Sequence, residues 1–178
     1  MRLIAEKSIG EAEHGLQLLV GKIRESVGEV RRITMDLRPS TLDDLGILAT
    51  MSWFAREFQR VYHGIAVQQE IGLLEKDVPG PLKTTLYRIL QEAMNNIAKH
   101  AQASRVDVAL LKTGNFIELR IKDNGVGFDM EEVGARRGTE KGFGLVSMQD
   151  RASLSAGTCQ IESTPGCGTA IRFSWPVD

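Results

Sequence analysis

The chain has 178 residues, long enough for one domain with a buried core and an appendage. At 42% hydrophobic and 25% charged it has an ordinary globular composition, and a net charge of -1 leaves no basic footprint for nucleic acid. No run of 18 apolar residues is present, so no membrane span is expected, and Arg2, Glu6 and Lys7 break any signal-peptide core.

The first segment reads as a helix. Leu16, Val20, Ile23, Val27, Val30, Thr34 and Leu37 follow the alternating 4,3 spacing of a coiled-coil or bundle seam, with charged residues on the other faces. Gly10, Gly15, Gly21 and Gly28 weaken it by roughly 1 kcal/mol each relative to Ala, so this stem needs a partner helix. Pro39 ends it, because the residue before a proline is pushed out of the helical region. Residues 46–62 then form an amphipathic helix (Ile47, Leu48, Met51, Trp53, Phe54, Phe58, Val61), stopped by His63-Gly64. A strand is expected over Ile65–Ile71. Pro79 and Pro81 introduce a long helix, Leu82 to Ala101, with Leu86, Ile89, Leu90, Ala93, Met94 and Ile97 on its buried face.

From Val106 the period falls to two. Strands are expected around Val106–Leu110 and Phe116–Ile121, joined at Thr113-Gly114-Asn115. The stretch Gly125–Gly142 shows no apolar period and reads as a mobile loop. A helix from Gly144 to Ala156 carries Leu145, Met148 and Leu154. A hairpin, Thr158–Ser163 and Thr169–Trp175, closes the pattern. Its cysteines, Cys159 and Cys167, lack CxxC spacing and a histidine cluster, and read as reduced thiols. The expected fold is α+β, a two-layer α/β sandwich over residues 39–178 behind a helical stem over 1–38.

Four short segments carry candidate chemistry. On the long helix, Glu92, Asn96 and Lys99/His100 share one face. An asparagine oxygen suits Mg²⁺ already bound to phosphates, and Lys99 and His100 could meet phosphate charge; the plain alternative is a solvated polar stripe. Asp123-Asn124-Gly125-Val126-Gly127 follows a strand. Its carboxylate could accept a hydrogen bond from the exocyclic amine of adenine, with Gly125 and Gly127 allowing close approach, or it is a tight turn. Lys141-Gly142-Phe143-Gly144-Leu145 leads into a helix, whose first turn offers unpaired N–H groups and a positive dipole end to phosphates. Arg136, Arg137 and Lys141 could fold over a triphosphate. Gly166-Cys167-Gly168-Thr169 is either a bare hairpin turn or one whose Thr169 hydroxyl reaches the base through water. GxxxxGK[ST], HExxH and GxSxG are all absent.

In this order and spacing the four segments resemble the N, G1, G2 and G3 boxes of the GHKL ATPase superfamily, whose Bergerat fold packs a mixed sheet on helices. The resemblance covers roughly residues 82–176. A closer one lies in Glu29-Val30-Arg31-Arg32-Ile33 through Asp36-Leu37-Arg38-Pro39 and Leu42-Asp43-Asp44-Leu45-Gly46-Ile47. This is similar to the second dimerisation helix and junction of bacterial sensor histidine kinases of the NarL/DesK type, as is the helix phrase Gln91–Ala101. The resemblance implies that Asn96 holds Mg²⁺ with the ATP phosphates, with Glu92 as a possible second ligand that also positions phosphoryl transfer. It implies that Asp123 binds adenine, and that Gly125, Gly127, Lys99, His100, Lys141, Gly142, Gly144, Leu145 and Thr169 line the nucleotide. A response-regulator receiver domain, a phosphoacceptor helix, a homodimer in the full-length protein and a cytoplasmic site follow as expected partners and place.

One departure is large. The stretch that carries the acceptor histidine in that subfamily has no counterpart here, and His14 lies too near the Leu37-Arg38-Pro39 junction to replace it. The chain is therefore expected to hold the second dimerisation helix and the catalytic domain without an acceptor histidine, and to associate weakly. Two other readings are a GHL-type ATPase with Glu92 as general base for water, and an interaction module with a regulatory or vestigial pocket. An anti-sigma-type serine kinase shares the boxes but lacks this stem and junction.

Overall fold

The computed structural model describes residues 16–23, 26, 27, 29, 30, 33, 40–130 and 140–177, the side chains of 140–143 excepted. Two compact units divide the chain, Met1–Leu37 and Arg38–Asp178. In the first, every described residue is helical, and Leu16, Val20, Ile23, Val27 and Val30 of the expected seam are exposed. Leu18, Leu19 and Ile33 are exposed as well. Thr34, Leu37, Gly10, Gly15, Gly28 and His14 lie outside the described residues.

The second unit opens with a short helix, α1 (Thr41–Asp44), then α2 (Gly46–Val61), β1 (Ala66–Gly72), a 3-10 turn (Glu75–Asp77) and α3 (Gly80–Asn96). A single π-helical turn (Ile97–Ala101) extends α3 before β2 (Arg105–Thr113) and β3 (Phe116–Asp123). The remaining elements are α4 (Glu140–Leu154), β4 (Thr158–Thr164) and β5 (Gly168–Pro176). The five strands form one mixed sheet in the order β1-β2-β3-β5-β4. Only β1 and β2 are parallel; they need the crossover that α3 provides, because parallel neighbours cannot be joined by a tight turn.

One face of the sheet is apolar. Val106, Val108, Leu110, Ile117, Leu119, Ile121, Ile171, Phe173 and Trp175 are buried, and the alternation of the strands turns Arg105, Arg120, Lys122 and Arg172 outward. Against the buried face lies the stripe of α3 that its 3.6-residue period marks, Leu86, Ile89, Leu90, Ala93, Met94 and Ile97. The Phe54 and Tyr87 rings pack T-shaped with centroids 5.8 Å apart and couple α2 to α3. The Trp175 indole N–H donates to Ser155 Oγ at 2.9 Å, so burying this ring strands no donor. The architecture is the expected α+β one.

Glu75 holds the start of α2 from far along the chain. Its two oxygens accept the Ile47 and Leu48 N–H groups, each at 3.0 Å, and Lys83 at the start of α3 pairs with it at 2.6 Å. Burial pushes its carboxyl up, but the Lys83 ammonium and the two amides outweigh that and hold it below the usual glutamate range. One carboxylate thereby caps one helix and ties it to the next.

Two expectations are corrected. Helix α4 begins at Glu140, ahead of the expected start at Gly144, so Gly142 lies inside its first turn and not in the loop before it. The stretch 131–139 of the expected loop lies outside the described residues. Leu154 is 89% exposed, and Ala152 takes the buried place with Met148. Two residues along a helix is a rotation of about 200°, which carries Leu154 to the far side from Ala152.

Candidate functional site

Glu92 and Asn96 stand one turn apart on α3, both half-buried. Helix α4 crosses them at Gly144, where a methyl group would overlap Glu92 Oε1 and lie 3.0 Å from Asn96 Nδ2 and 3.2 Å from its Oδ1. The glycine there lets α4 sit against the two polar side chains as they stand, whereas a methyl group would make their ends move. Leu145, next along α4, is half-buried. Lys141 and Gly142 belong to the first turn of that helix, and their side chains lie outside the described set.

The loop after β3 fits between the end of α3 and the β4–β5 hairpin. Its Val126 N–H donates to the Ala101 carbonyl at 2.8 Å, and Gly125 is packed against the same carbonyl. Gly127 faces the Thr164 and Gly168 carbonyls, while the Gly166 N–H returns to Val126 O at 2.6 Å. Gly168 adopts φ +80° with its Cα against the Asp123 carbonyl, a conformation and a distance that exclude a side chain. Contact by contact, these residues fall into two groups: Glu92, Asn96 and Gly144 where α4 meets α3, and Asp123, Gly125, Gly127, Gly168 and Thr169 where the loop after β3 meets the hairpin. Lys99 and His100 are exposed on the π turn just beyond Asn96.

Asp123 is 5% exposed at the end of β3. Burial pushes its carboxyl up, and hydrogen bonds from the Gly125 and Thr169 backbone amides pull it part of the way back. The Gly125 bond is 2.8 Å long. An ionised carboxylate has about four acceptor positions, and these two amides leave room for a donor from a ligand.

Two residues around Asp123 escaped the sequence reading. Asn124 accepts the Ser104 and Arg105 N–H groups at 3.0 and 2.9 Å and donates to Ser104 Oγ at 3.0 Å, a clamp on the start of β2. Ser163 accepts the Phe128 N–H at 2.9 Å, and its Oγ lies 3.0 Å from Thr169 Oγ1. Ser163 and Thr169 are directly opposite in the β4–β5 register, so the hairpin pairing was the signal that would have found it.

The oxygens of Glu92 and Asn96 are hard donors of the kind Mg²⁺ takes beside phosphate oxygens and water, and one or two protein oxygens suffice for that ion. The pair fits it. Among the described residues no cluster of three or more His, Cys, Asp or Glu side chains is set to hold a metal. Likewise no described helix is long and apolar enough to cross a membrane. Cys159 and Cys167 are both free, and burial pushes the Cys159 thiol up to about 11.

The sequence is similar to those of known proteins. The signal transduction histidine-protein kinase/phosphatase DegS of Brevibacillus brevis is 37% identical over 177 residues, 99% of this chain and 44% of that protein. The oxygen sensor histidine kinase NreB of Staphylococcus carnosus is 34% identical over 157 residues, 88% of this chain and 44% of that protein. The chain thus spans less than half the length of these relatives. The histidine kinase domain of a blue-light activated histidine kinase from Erythrobacter litoralis EL346 has the same fold. It superposes with a TM-score of 0.57 at 16% identity, covering 72% of this chain and 60% of that one. With residues 82–178 matching the histidine kinase-, DNA gyrase B-, and HSP90-like ATPases, the chain belongs to that family.

Proposed function

We propose that this chain is the ATP-binding catalytic domain of a sensor histidine kinase, which passes the ATP γ-phosphoryl to a histidine other than its own three. A response-regulator aspartate then takes the group. Residues 39–178 are the catalytic domain, and 1–38 are one part of a dimerisation stem. The setting is cytoplasmic, where ATP is at hand.

Each group has a task that its chemistry suits. Asp123 accepts the adenine amine, which distinguishes adenine from guanine. Gly127 and Gly168 let the backbone close on the base. Asn96, with Glu92 beside it, would hold Mg²⁺, which when bound neutralises phosphate charge and orients the γ-phosphoryl. The first-turn amides of α4 around Gly142, together with Lys99, His100 and Lys141, meet the phosphates. Glu92 positions the incoming acceptor. Such chemistry is mainly alignment and charge stabilisation.

The observation that carries this reading is the glycine seat of α4. The helix of the Gly142–Leu145 segment lies directly on Glu92 and Asn96 through Gly144, which supports a reading in which its first turns and the two hard oxygens serve one Mg²⁺-bound phosphate group. The test is a thermal-shift titration of wild type and Asp123→Asn with ATP, GTP and Mg²⁺. A ligand at 100 times its dissociation constant adds about 2.7 kcal/mol of stability. The expected result is stabilisation by ATP, little by GTP, and loss of the ATP shift in the variant. No shift with either nucleotide would overturn the proposal.

A further inference from the structure

We infer that Ser163 is a specificity-determining positioning residue, which fixes the Thr169 hydroxyl as a hydrogen-bond acceptor beside Asp123 and so favours a purine with an amino rather than an oxo group at position 6. This rests on the adenine reading above and adds to it the polarity of a second group at the base.

A hydroxyl has one hydrogen to give and two lone pairs to fill. Ser163 Oγ has three polar neighbours, and two of them leave no choice. The Phe128 N–H at 2.9 Å can only donate to it. The Gly168 carbonyl, 3.2 Å away, can only accept from it. Its one hydrogen is therefore committed to Gly168, and Thr169 Oγ1 at 3.0 Å satisfies all three bonds only by donating. With its own hydrogen turned to Ser163, Thr169 has nothing but lone pairs left for a ligand.

The Asp123 carboxylate is an acceptor too, and it accepts the backbone N–H of Thr169 itself. Two neighbouring acceptors want a donor, which an exocyclic amine supplies directly. An oxo group would set lone pairs against lone pairs, and leaving buried polar groups unpaired is what rejects an analogue. Removing the Ser163 hydroxyl would free the Thr169 hydrogen to turn toward an oxo base.

The experiment measures the affinities of the whole 178-residue chain for Mg·ATP and Mg·ITP by calorimetry; ITP carries an oxo group where ATP carries the amine. Wild type should prefer ATP, and Ser163→Ala should lower the ATP-to-ITP affinity ratio about tenfold, the worth of one hydrogen bond. Ser163→Thr, which restores a hydroxyl, should keep the wild-type ratio. Thr169→Val should lower the ratio by a similar factor on its own, Asp123 keeping the rest of the preference, and adding Ser163→Ala to it should change the ratio no further. Thr169→Val leaves the Phe128 and Gly168 bonds in place, so it reads the inference even if Ser163→Ala does not fold. An unchanged ratio in either single variant, or a Ser163→Thr ratio as low as that of Ser163→Ala, would overturn the inference and leave the adenine reading standing. A wild type that binds ATP no better than ITP would overturn both.

Discussion

Two buried carboxylates on β3 answer pH in opposite senses. Glu118, 4% exposed on the solvent side of the sheet, is gripped by Arg172 and Arg120, whose charged hydrogen bonds hold its pKa below the ordinary glutamate value of 4.5. A depressed carboxylate stabilises the fold fully above its unfolded pKa, and that stability is lost as pH falls through the folded one. Asp123 is the reverse. Raised by burial, it favours the fold most when protonated, and its contribution is lost as pH rises through its folded pKa. At neutral pH the protein therefore carries a destabilising charge at the position where a ligand donor would relieve it. We expect Glu118→Gln to lower stability at pH 7 by about 1 kcal/mol, a modest figure because both guanidiniums are half exposed. The same variant should show a smaller further loss than wild type between pH 5 and pH 3 in denaturant titrations. An unchanged acid limb would show that the two arginines do not hold the charge.

Among the elements, α3 and α4 carry the phosphate end of the proposed site, and their meeting at Gly144 gives a sharp expectation. Alanine there is favoured by helix propensity by roughly 1 kcal/mol. The atoms it would meet are the far ends of Glu92 and Asn96, which can swing aside. Gly144→Ala should therefore leave the melting temperature within a few degrees of wild type and weaken Mg·ATP binding about tenfold, measured by calorimetry. Unchanged affinity would sink the assignment of Glu92 and Asn96 to the phosphate end. How far the sequence could be read follows from the reach of each interaction. The buried stripe of α3 and the alternation of β2 and β3 repeat every few residues, so a period reveals them. The Glu75 cap joins positions 28 apart, the Phe128–Ser163 bond 35, and the Arg172–Glu118 pair 54, and no local pattern points to such partners. The start of α4 was misjudged for a related reason. Glycine-rich composition reads as loop, whereas this stretch is helical and Gly144 seats it on α3.

At the scale of the whole molecule, the stem leaves Leu16, Val20, Ile23, Val27 and Val30 exposed at heptad spacing. A stripe of this kind is covered by another helix. Light scattering at rising protein concentration should show weak self-association that Ile23→Asp removes while ATP binding is kept. A strict monomer at all concentrations would count against the stem's assignment to dimerisation. The sheet order has a consequence in time. Strand β5 is the last of the five to leave the ribosome, yet it lies between β3 and β4. Until residues 168–176 have been made, β3 has one bare edge, β4 has no neighbour, and Asp123 lacks the Gly168 and Thr169 backbone that completes its surroundings. A nascent chain passing through this stage carries unpaired strand edges and no finished pocket, so it is exposed to aggregation that nucleotide cannot prevent. Competence to bind arrives in one late step, when the final strand is threaded into the middle of the sheet.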